Sequence, residues 1–293
     1  MLNDLASLLL QIEESLKQHL PTNSQIAQPM LEAMNYAVMG GGKRLRPMLV
    51  CAGSEAFGGD YKSALPAGCA FEFIHAYSLI HDDLPAMDDD DLRHGRASTH
   101  VAFGEANAIL AGDSLHSLAF QSISEAANIS PTSKLRIINL LSKAAGWHGM
   151  SGGQYLDIEA EGKLLTLAEL KMLHAAKTGA LIKSALEVGA LCAEADTTST
   201  AYKAISEFGA KIGLAFQIVD DILDVTQTSE TLGKPAGSDE GLNKNTFPRL
   251  LGLDESKNKA EDLLQEAMAL LEQNNLKTPL LEALANRAVH RTF

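Results

Sequence analysis

The sequence is poor in cysteine, and the few cysteines it has do not form a crosslinking or metal-binding pattern. Its 293 residues include Cys51, Cys69 and Cys192, which are widely spaced and contain no CxxC pair. An odd, scattered set argues against a disulfide framework and against a thiolate zinc site. The histidines form no HExxH pattern, so zinc is not expected either. This use of cysteine is typical of a reducing compartment, and we expect a cytoplasmic location.

Positive charge and long apolar runs are also scarce. The chain has 24 Lys and Arg against 37 Asp and Glu, a formal net charge of −13. This balance argues against binding to nucleic acid or to an anionic membrane, although a few clustered cations can still bind a small anion. No run of about 18 uncharged apolar residues is present, so no stable membrane insertion is expected. The N-terminal apolar segment is short, carries Asp4 and lacks a basic region, unlike a signal peptide.

Strand signals are few, because aromatic residues make up only 5% of the chain. Apolar residues instead recur every three or four positions in most long windows, which favours helices. Segments 66–83 and 202–225 are apolar all round, a pattern typical of buried central helices. Breaks are expected at glycines and prolines, among them Gly40–Gly42, Pro131 and Gly152–Gly153. We therefore predict one all-α domain over residues 1–293, with roughly ten or more helices.

Two clusters of aspartates interrupt this apolar pattern. The first lies within residues 81–93, and the second contains Asp220, Asp221 and Asp224. Asp220 and Asp224 are four residues apart and share a helix face. Carboxylates on an apolar helix need cations, and clustered carboxylate oxygens suit a hard ion such as Mg²⁺.

The first cluster has a helix breaker within it. Asp82 and Asp88 would point apart on an unbroken helix, but Pro85 should loosen the chain and let Asp88 fold back beside Asp82. Asp83 follows Asp82 at the same end of the apolar segment. For the run Asp89–Asp91, a solvated surface is the favoured interpretation.

The basic counterpart is residues 40–47, GGGKRLRP. Glycines let a backbone approach an anion closely, and Lys43 and Arg46 could then bind phosphate oxygens. A lone GGGKR would more simply be a turn with surface cations, and the spacing is not that of a Walker A loop.

Other cations stand beside glycine, threonine or acidic residues. Each of these cations alone is most simply a surface side chain. Together they indicate that the protein binds anions bridged by metal ions. They are Arg93, Lys177, Lys234 and Lys244.

Two further side chains precede the first aspartate cluster on the same helix. His75 lies two turns before Asp82, and its sequence context fits a core histidine and a phosphate donor equally well. Tyr77 and Ser78 lie about one turn before Asp82. Tyr77 fits either plain core packing or a wall that limits an apolar substrate tail.

Four segments together resemble the short-chain trans-prenyl diphosphate synthases, most closely the bacterial members that form farnesyl diphosphate. They are GGGKRLRP, residues 73–98 around HDDLPAMDDDDLRHG, the KTG at 177–179, and residues 216–248 around FQIVDDILD. The resemblance implies an all-α fold around a central substrate cavity, with the two aspartate motifs facing each other. It implies condensation of isopentenyl diphosphate with dimethylallyl and then geranyl diphosphate. It also implies Mg²⁺, three ions per site with Mn²⁺ able to substitute, and a homodimer.

The resemblance further implies roles for individual residues. Metal ligands would be Asp82, Asp83, Asp88, Asp220, Asp221 and Asp224. The allylic diphosphate would be bound by Arg93, Lys177, Lys234 and Lys244. Isopentenyl diphosphate would be bound by Gly42, Lys43, Arg46, His75 and His94. Thr178 and Gln217 would stand near the developing carbocation and, with Lys177 and Lys234, make up the catalytic set. Tyr77 and Ser78 would set the product length.

One position departs from the family pattern. The family usually has Arg-Arg-Gly after the first motif, whereas this chain has Arg93-His94-Gly95. A histidine is charged only part of the time near neutral pH, so we expect weaker or more pH-dependent binding of isopentenyl diphosphate. Family members often close the site with a basic C-terminal tail, for which Arg291 is a candidate.

Three alternatives stay open at this point. The same reaction could stop at geranyl or geranylgeranyl diphosphate. A terpene cyclase would use one allylic substrate, but such enzymes usually pair an aspartate motif with an Asn/Ser/Glu motif and lack GGGKR. An inactive helical partner subunit would not need the intact Asp82, Asp83, Asp88, Lys43 and Arg46.

Overall fold

The protein is described here by a computed structural model that covers residues 5–226 and 245–290. Helices dominate these residues. The first half contains α1 (Leu5–His19), α2 (Gln28–Met39), α3 (Leu45–Ala56), α4 (Tyr61–Asp82), α5 (Thr99–Phe103), α6 (Glu105–Glu125) and α7 (Pro131–Ala145). The second half contains α8 (Met150–Glu159), α9 (Leu167–His174), α10 (Ala180–Cys192), α11 (Thr200–Thr226), α12 (Phe247–Leu251), α13 (Leu253–Gln273) and α14 (Pro279–Val289). The all-α prediction is therefore confirmed.

The two helices with apolar residues on all sides are central to the packing. Helix α4 packs against α3 and α6, and α11 packs against α10 and α13. The side chain of Asp60 caps α4 by accepting a hydrogen bond from the backbone N–H of Lys62. The side chain of Ser130 caps α7 before Pro131, so the break predicted at Pro131 is the start of a helix. No helix among the described residues is both long and apolar enough to cross a membrane.

Helix α4 ends where Pro85 requires it to end. Its last residue is Asp82, and the chain then makes a series of tight turns. The backbone N–H of Asp88 returns to the carbonyl of Asp82 at 2.9 Å. The predicted return of Asp88 to Asp82 is confirmed, because the proline ring and its missing N–H stop the helix just after the aspartate pair.

A β-hairpin follows this turn, formed by β1 (Leu92–Arg93) and β2 (Arg96–Ala97), with Arg93 directly opposite Arg96. His94 and Gly95 form the two-residue turn and both have positive φ, 53° and 73°. This is the backbone geometry that twists a two-residue hairpin correctly.

The predicted break at Gly152–Gly153 is wrong, since α8 runs through both residues. A Cβ added to Gly153 would lie 2.2 Å from the backbone nitrogen of Lys177. The glycine therefore serves close packing between α8 and the chain around Lys177 rather than a turn. That chain is itself unusual, because Ala175–Gly179 forms a π-helical turn between α9 and α10. Such turns are rare and often occur at functional sites.

Candidate active site

One large cavity opens between the end of α4, the glycine loop before α3, the β-hairpin, α8 and the π-helical turn. Its volume is about 1090 Å³. The residues of the sequence-predicted site that line it are Gly42, Lys43, Arg46, His75, Tyr77, Ser78, Asp82, Asp83, Arg93, His94, Lys177, Thr178 and Asp220. Both aspartate clusters thus contribute a carboxylate to one cavity.

The first aspartate cluster presents Asp82 to the cavity. Burial raises the pKa of the Asp82 carboxyl to about 6, and the nearby ammonium of Lys177 opposes this rise. Asp83 is almost fully buried and forms an ion pair with the guanidinium of Arg93. The guanidinium also donates a hydrogen bond from Arg93 Nε to Asp83 Oδ1 at 2.9 Å. Arg93 therefore connects the hairpin to the end of α4.

The second cluster divides into side chains with different surroundings. Asp220 lines the cavity. Asp221 is buried and accepts hydrogen bonds from the backbone N–H of Phe247 at 2.9 Å and from Gln217 Nε2 at 3.3 Å. His174 Nε2 also lies 3.3 Å from an Asp221 oxygen. Asp224 is buried one turn further along α11, on the face it shares with Asp220.

The π-helical turn brings a cation and a hydroxyl to the wall that carries Asp220. Lys177 Nζ lies 2.6 Å from Asp157 Oδ2 of α8. The hydroxyl of Thr178 donates to Gln217 Oε1 at 2.8 Å, which links the turn to α11. Lys177 and Thr178 both line the cavity, where the charge of Lys177 also acts on Asp82.

A cationic pocket also forms part of the cavity wall. It consists of Arg46, His75, His94 and Lys43, with Arg93 nearby. The Nε of Arg46 is buried and has no hydrogen-bond partner among the described residues. Burial lowers the pKa of Arg46, while the charges of Glu72 and Asp220 oppose this. A buried guanidinium N–H without an acceptor indicates an anion at this position, because such a donor is otherwise costly.

The surroundings of both histidines in this pocket disfavour the protonated ring. Burial lowers the pKa of His75 well below its usual value, and the charge of Arg46 lowers it further. Burial likewise lowers the pKa of His94, together with the charges of Arg93 and Arg44. A bound dianion would act in the opposite direction and favour the protonated rings.

The glycine loop takes its shape from Arg44, which sequence reasoning did not single out. Arg44 starts α3 with a left-handed backbone, φ 48°, after Gly41 and Gly42 at φ 109° and 119°. Its side chain is 2% exposed and binds Glu13 of α1 at 2.6 Å, Glu72 of α4 at 2.7 Å and the carbonyl of Val38 at 2.7 Å. Its partners are far apart in the sequence, so no local pattern could have revealed this anchor.

Tyr77 forms part of the cavity wall about one turn below Asp82. Its ring packs edge-on against His81 and His116, with ring centroids 5.2 Å apart in each pair. His116 in turn packs edge-on against Phe120. Three aromatic rings from α4 and α6 thus stand behind the Tyr77 ring, and Ser78 lies beside it with its hydroxyl donating to the carbonyl of His75.

The carboxylates are suited to bind Mg²⁺ together with other ligands, but they do not complete its coordination by themselves. Among residues 5–226 and 245–290, no three His, Cys, Asp or Glu side chains converge closely enough to hold a metal ion by themselves. Mg²⁺ usually keeps several waters and binds one or two carboxylates together with substrate phosphates. Asp82 and Asp220 both line the cavity, and burial disfavours the charged form of Asp82. Two carboxylates in this arrangement are a suitable donor set for such an ion.

Three residues of the predicted site lie outside the described part of the chain, and the cavity also has residues that the sequence did not predict. Lys234, Lys244 and Arg291 lie outside the described residues. The cavity wall also includes Gln154 and Phe216, and Asp157 holds Lys177. Gln154 and Asp157 are three residues apart on a short helix after two glycines, a pattern that could have indicated a polar face directed at the site.

The chain is similar to known proteins over most of its length. The chain is 49% identical to the farnesyl diphosphate synthase of Escherichia coli (strain K12) over 268 residues, which are 90% of this chain and 89% of that one. It is 44% identical to the chloroplastic geranylgeranyl pyrophosphate synthase of Capsicum annuum over 263 residues, 89% of this chain and 71% of that one. A geranyltransferase from Helicobacter pylori, solved with magnesium and isoprenyl diphosphate, has a similar fold. Its TM-score is 0.85 at 33% identity, covering 97% of this chain and 95% of that one.

These similarities place the chain in the all-α fold class of the isoprenyl diphosphate synthases. The polyprenyl synthetase family matches residues 27–284, and the chain belongs to that family. The resemblance predicted from the sequence is confirmed, whereas the roles of the individual site residues remain predictions.

Proposed function

We propose that this protein is a Mg²⁺-dependent trans-prenyltransferase that condenses isopentenyl diphosphate with dimethylallyl and then geranyl diphosphate to give farnesyl diphosphate. The observation that carries the proposal is that Asp82 and Asp220, one carboxylate from each aspartate cluster, line the same cavity as Arg46, whose buried Nε has no hydrogen-bond partner among the described residues. Asp82, Asp220 and Lys177 would bind one diphosphate with its metal ions, and Arg46 would bind the other. Two anionic substrates could therefore meet in one cavity.

Metal ions would be held by carboxylates of both clusters, with the substrate diphosphate completing their coordination. Of the six metal ligands predicted from the sequence, we assign Asp82, Asp88, Asp220 and Asp224 as direct ligands. Asp83 and Asp221 already have protein partners, Arg93 and His174 among them, so they would join only through rearrangement or through water. When bound, Mg²⁺ would neutralise the leaving diphosphate and thus favour its departure. Three ions per site and replacement by Mn²⁺ belong to the same proposal.

The allylic substrate would react by ionisation. Its C–O bond breaks, and the diphosphate leaves with the electron pair, next to the fixed charges of Lys177 and Arg93. Lys234 and Lys244 would bind the same diphosphate. The hydroxyl of Thr178 and the amide of Gln217 would present oxygen dipoles to the allylic cation. The apolar cavity wall keeps water from the cation.

The second substrate would be positioned for attack by its own diphosphate. Arg46, Lys43, His75, His94 and the backbone at Gly42 would hold isopentenyl diphosphate. Its double bond then forms the new C–C bond, and the released pyrophosphate accepts the proton that is lost. Holding both reactants in one orientation supplies much of the rate enhancement.

Product length is the finest part of the proposal. The ring of Tyr77, backed by His81 and His116, would stop the growing chain at fifteen carbons. A geranylgeranyl diphosphate synthase is the second candidate, since a relative with that name is 44% identical to this chain over 263 residues. A homodimer, a cytoplasmic location and a single domain over residues 1–293 complete the proposal.

The deciding experiment incubates the purified chain with Mg²⁺, isopentenyl diphosphate and dimethylallyl diphosphate. We expect pyrophosphate release that needs both substrates and stops with EDTA, and a farnesol-sized product after dephosphorylation. Asp82→Asn should lower the rate about 100-fold, because a charge aimed at the transition state is lost, whereas Asp89→Asn at an exposed position of the same loop serves as its control. Release from an allylic substrate alone would identify a cyclase instead, and absence of any release would indicate an inactive partner subunit.

A further inference from the structure

The hairpin after the first aspartate cluster carries a second arginine, which the sequence motif does not explain. Arg96 stands directly opposite Arg93 in the antiparallel pair, so both side chains leave the same face of the hairpin. Both line the cavity. Arg93 is engaged with Asp83, whereas Arg96 has no carboxylate within 4.0 Å among the described residues. An arginine without an acidic partner, on a cavity wall of a chain with net charge −13, is available for an anionic ligand.

Contacts with Tyr36 fix the position of the Arg96 side chain and of its strand. Its guanidinium lies over the ring of Tyr36, 4.0 Å from the ring centroid. The hydroxyl of Tyr36 donates to the carbonyl of Ala97 at 2.8 Å, so the same tyrosine also fixes the neighbouring residue of β2. A guanidinium stacked on an aromatic face keeps its N–H groups directed sideways, where they can bind phosphate oxygens bidentately.

Arg96 also lies against the glycine loop. A Cβ added to Gly40 would stand 3.1 Å from Arg96 Nη1, which places the guanidinium beside the loop that continues through Gly42 to Lys43. On the same cavity, His94 takes the position where the family usually has a second arginine. Its pKa is lowered, so its charge is weak at neutral pH.

We infer that Arg96 is a binding residue for the diphosphate of isopentenyl diphosphate and supplies the guanidinium that His94 does not provide. The inference rests on the proposed function. Arg96 reaches the cationic pocket from the hairpin side, while Arg46 reaches it from α3. The diphosphate is thus held between two guanidinium groups on separate elements.

The test compares Arg96→Gln with wild type in steady-state kinetics, with each substrate varied in turn. Loss of a charge-assisted contact to phosphate should raise the KM for isopentenyl diphosphate about tenfold. The KM for geranyl diphosphate and the kcat should stay within about twofold, because the lost contact is remote from the leaving group. Arg96→Lys keeps a charge without the planar fork and should give an intermediate KM. Arg136→Gln removes an exposed arginine of α7 outside the cavity and should change neither KM.

A double-mutant cycle separates binding from mere support of the hairpin. In the His94→Arg background, Arg96→Gln should raise the KM for isopentenyl diphosphate only about threefold, because the arginine at 94 then shares the role. An equal factor in both backgrounds, or an equal rise in the KM of both substrates, would overturn the inference. So would an unchanged KM for isopentenyl diphosphate in a folded Arg96→Gln or Arg96→Lys protein. A wild-type protein that turns over neither substrate would instead overturn the proposed function.

Discussion

Lys177 and Asp157 form an ion pair of 2.6 Å that joins the π-helical turn to α8. The pair lies at the cavity, and the charge of Lys177 also reaches Asp82 across it. Lys177 therefore stands between a structural carboxylate and a proposed metal ligand. Asp157 fixes the direction from which the ammonium meets a diphosphate.

Asp157→Asn should therefore weaken use of the allylic substrate. Without the charge of Asp157, Lys177 loses its orientation, and the pair is partly exposed, so the effect should be about fivefold on kcat/KM for geranyl diphosphate. The KM for isopentenyl diphosphate should stay the same. The exposed pair of Glu159, the last residue of α8, and Lys163 offers a control, Glu159→Gln, with no kinetic effect. A larger effect on isopentenyl diphosphate than on geranyl diphosphate would contradict this role.

The carboxyl of Asp82 gives the metal-free protein a dependence of stability on pH. Its pKa is raised to about 6 in the folded state from 3.8, so the folded protein holds this proton more tightly than the unfolded chain does. The free energy of unfolding should fall as the pH rises from about 4 to 6, by on the order of 2 kcal/mol from this group. Above that range, the loss is complete.

Asp82→Asn removes this ionisation and should be more stable than wild type at pH 8 in the presence of EDTA, but not at pH 4. Urea unfolding at both pH values measures the difference, and Asp89→Asn is the matched control. Adding Mg²⁺ with pyrophosphate should then stabilise wild type and not Asp82→Asn, because bound ligand stabilises only the protein that holds it. Equal stability of Asp82→Asn and wild type at pH 8 would refute the burial argument.

His94→Arg should strengthen the binding of isopentenyl diphosphate at pH 8. The pKa of His94 is lowered by burial and by Arg93 and Arg44, so the ring is mostly neutral there, whereas arginine is always charged. We expect the KM of wild type to exceed that of His94→Arg by several-fold at pH 8, and by less at pH 6, because the lower pH and the bound diphosphate both favour the protonated ring. The ratio of the two KM values cancels titration of the substrate itself. A ratio of one at both pH values would remove the prediction.

Much of this site could be read from the sequence where a local rule acted alone. Pro85 made the end of α4 predictable, and with it the hydrogen bond between Asp88 and Asp82. The spacing of Asp220 and Asp224 fixed their common face. Apolar periodicity indicated the all-α fold, because it depends only on the period of the helix.

The rest depends on contacts between distant parts of the chain. Arg44 is buried by Glu13 and Glu72, and nothing near it in sequence distinguishes it from Lys43. The two glycines before Gln154 suggested a break, but close approach of the Lys177 backbone explains Gly153 instead. Local propensity cannot show whether a glycine breaks a helix or allows close packing, because both depend only on its missing side chain.

Tyr77 should set the product length through its ring rather than its hydroxyl. The ring lines the cavity and is supported edge-on by His81 and His116. Tyr77→Ala removes most of that wall, so a fifteen-carbon product has room for a further isoprene unit, and chromatography of dephosphorylated products should show longer chains. Tyr77→Phe keeps the ring and should leave the length unchanged. His116→Ala removes the support behind the ring and should give a mixture, since Tyr77 can then turn away. An unchanged product length in Tyr77→Ala would refute the assignment, because the wall would then be gone without any effect on the product.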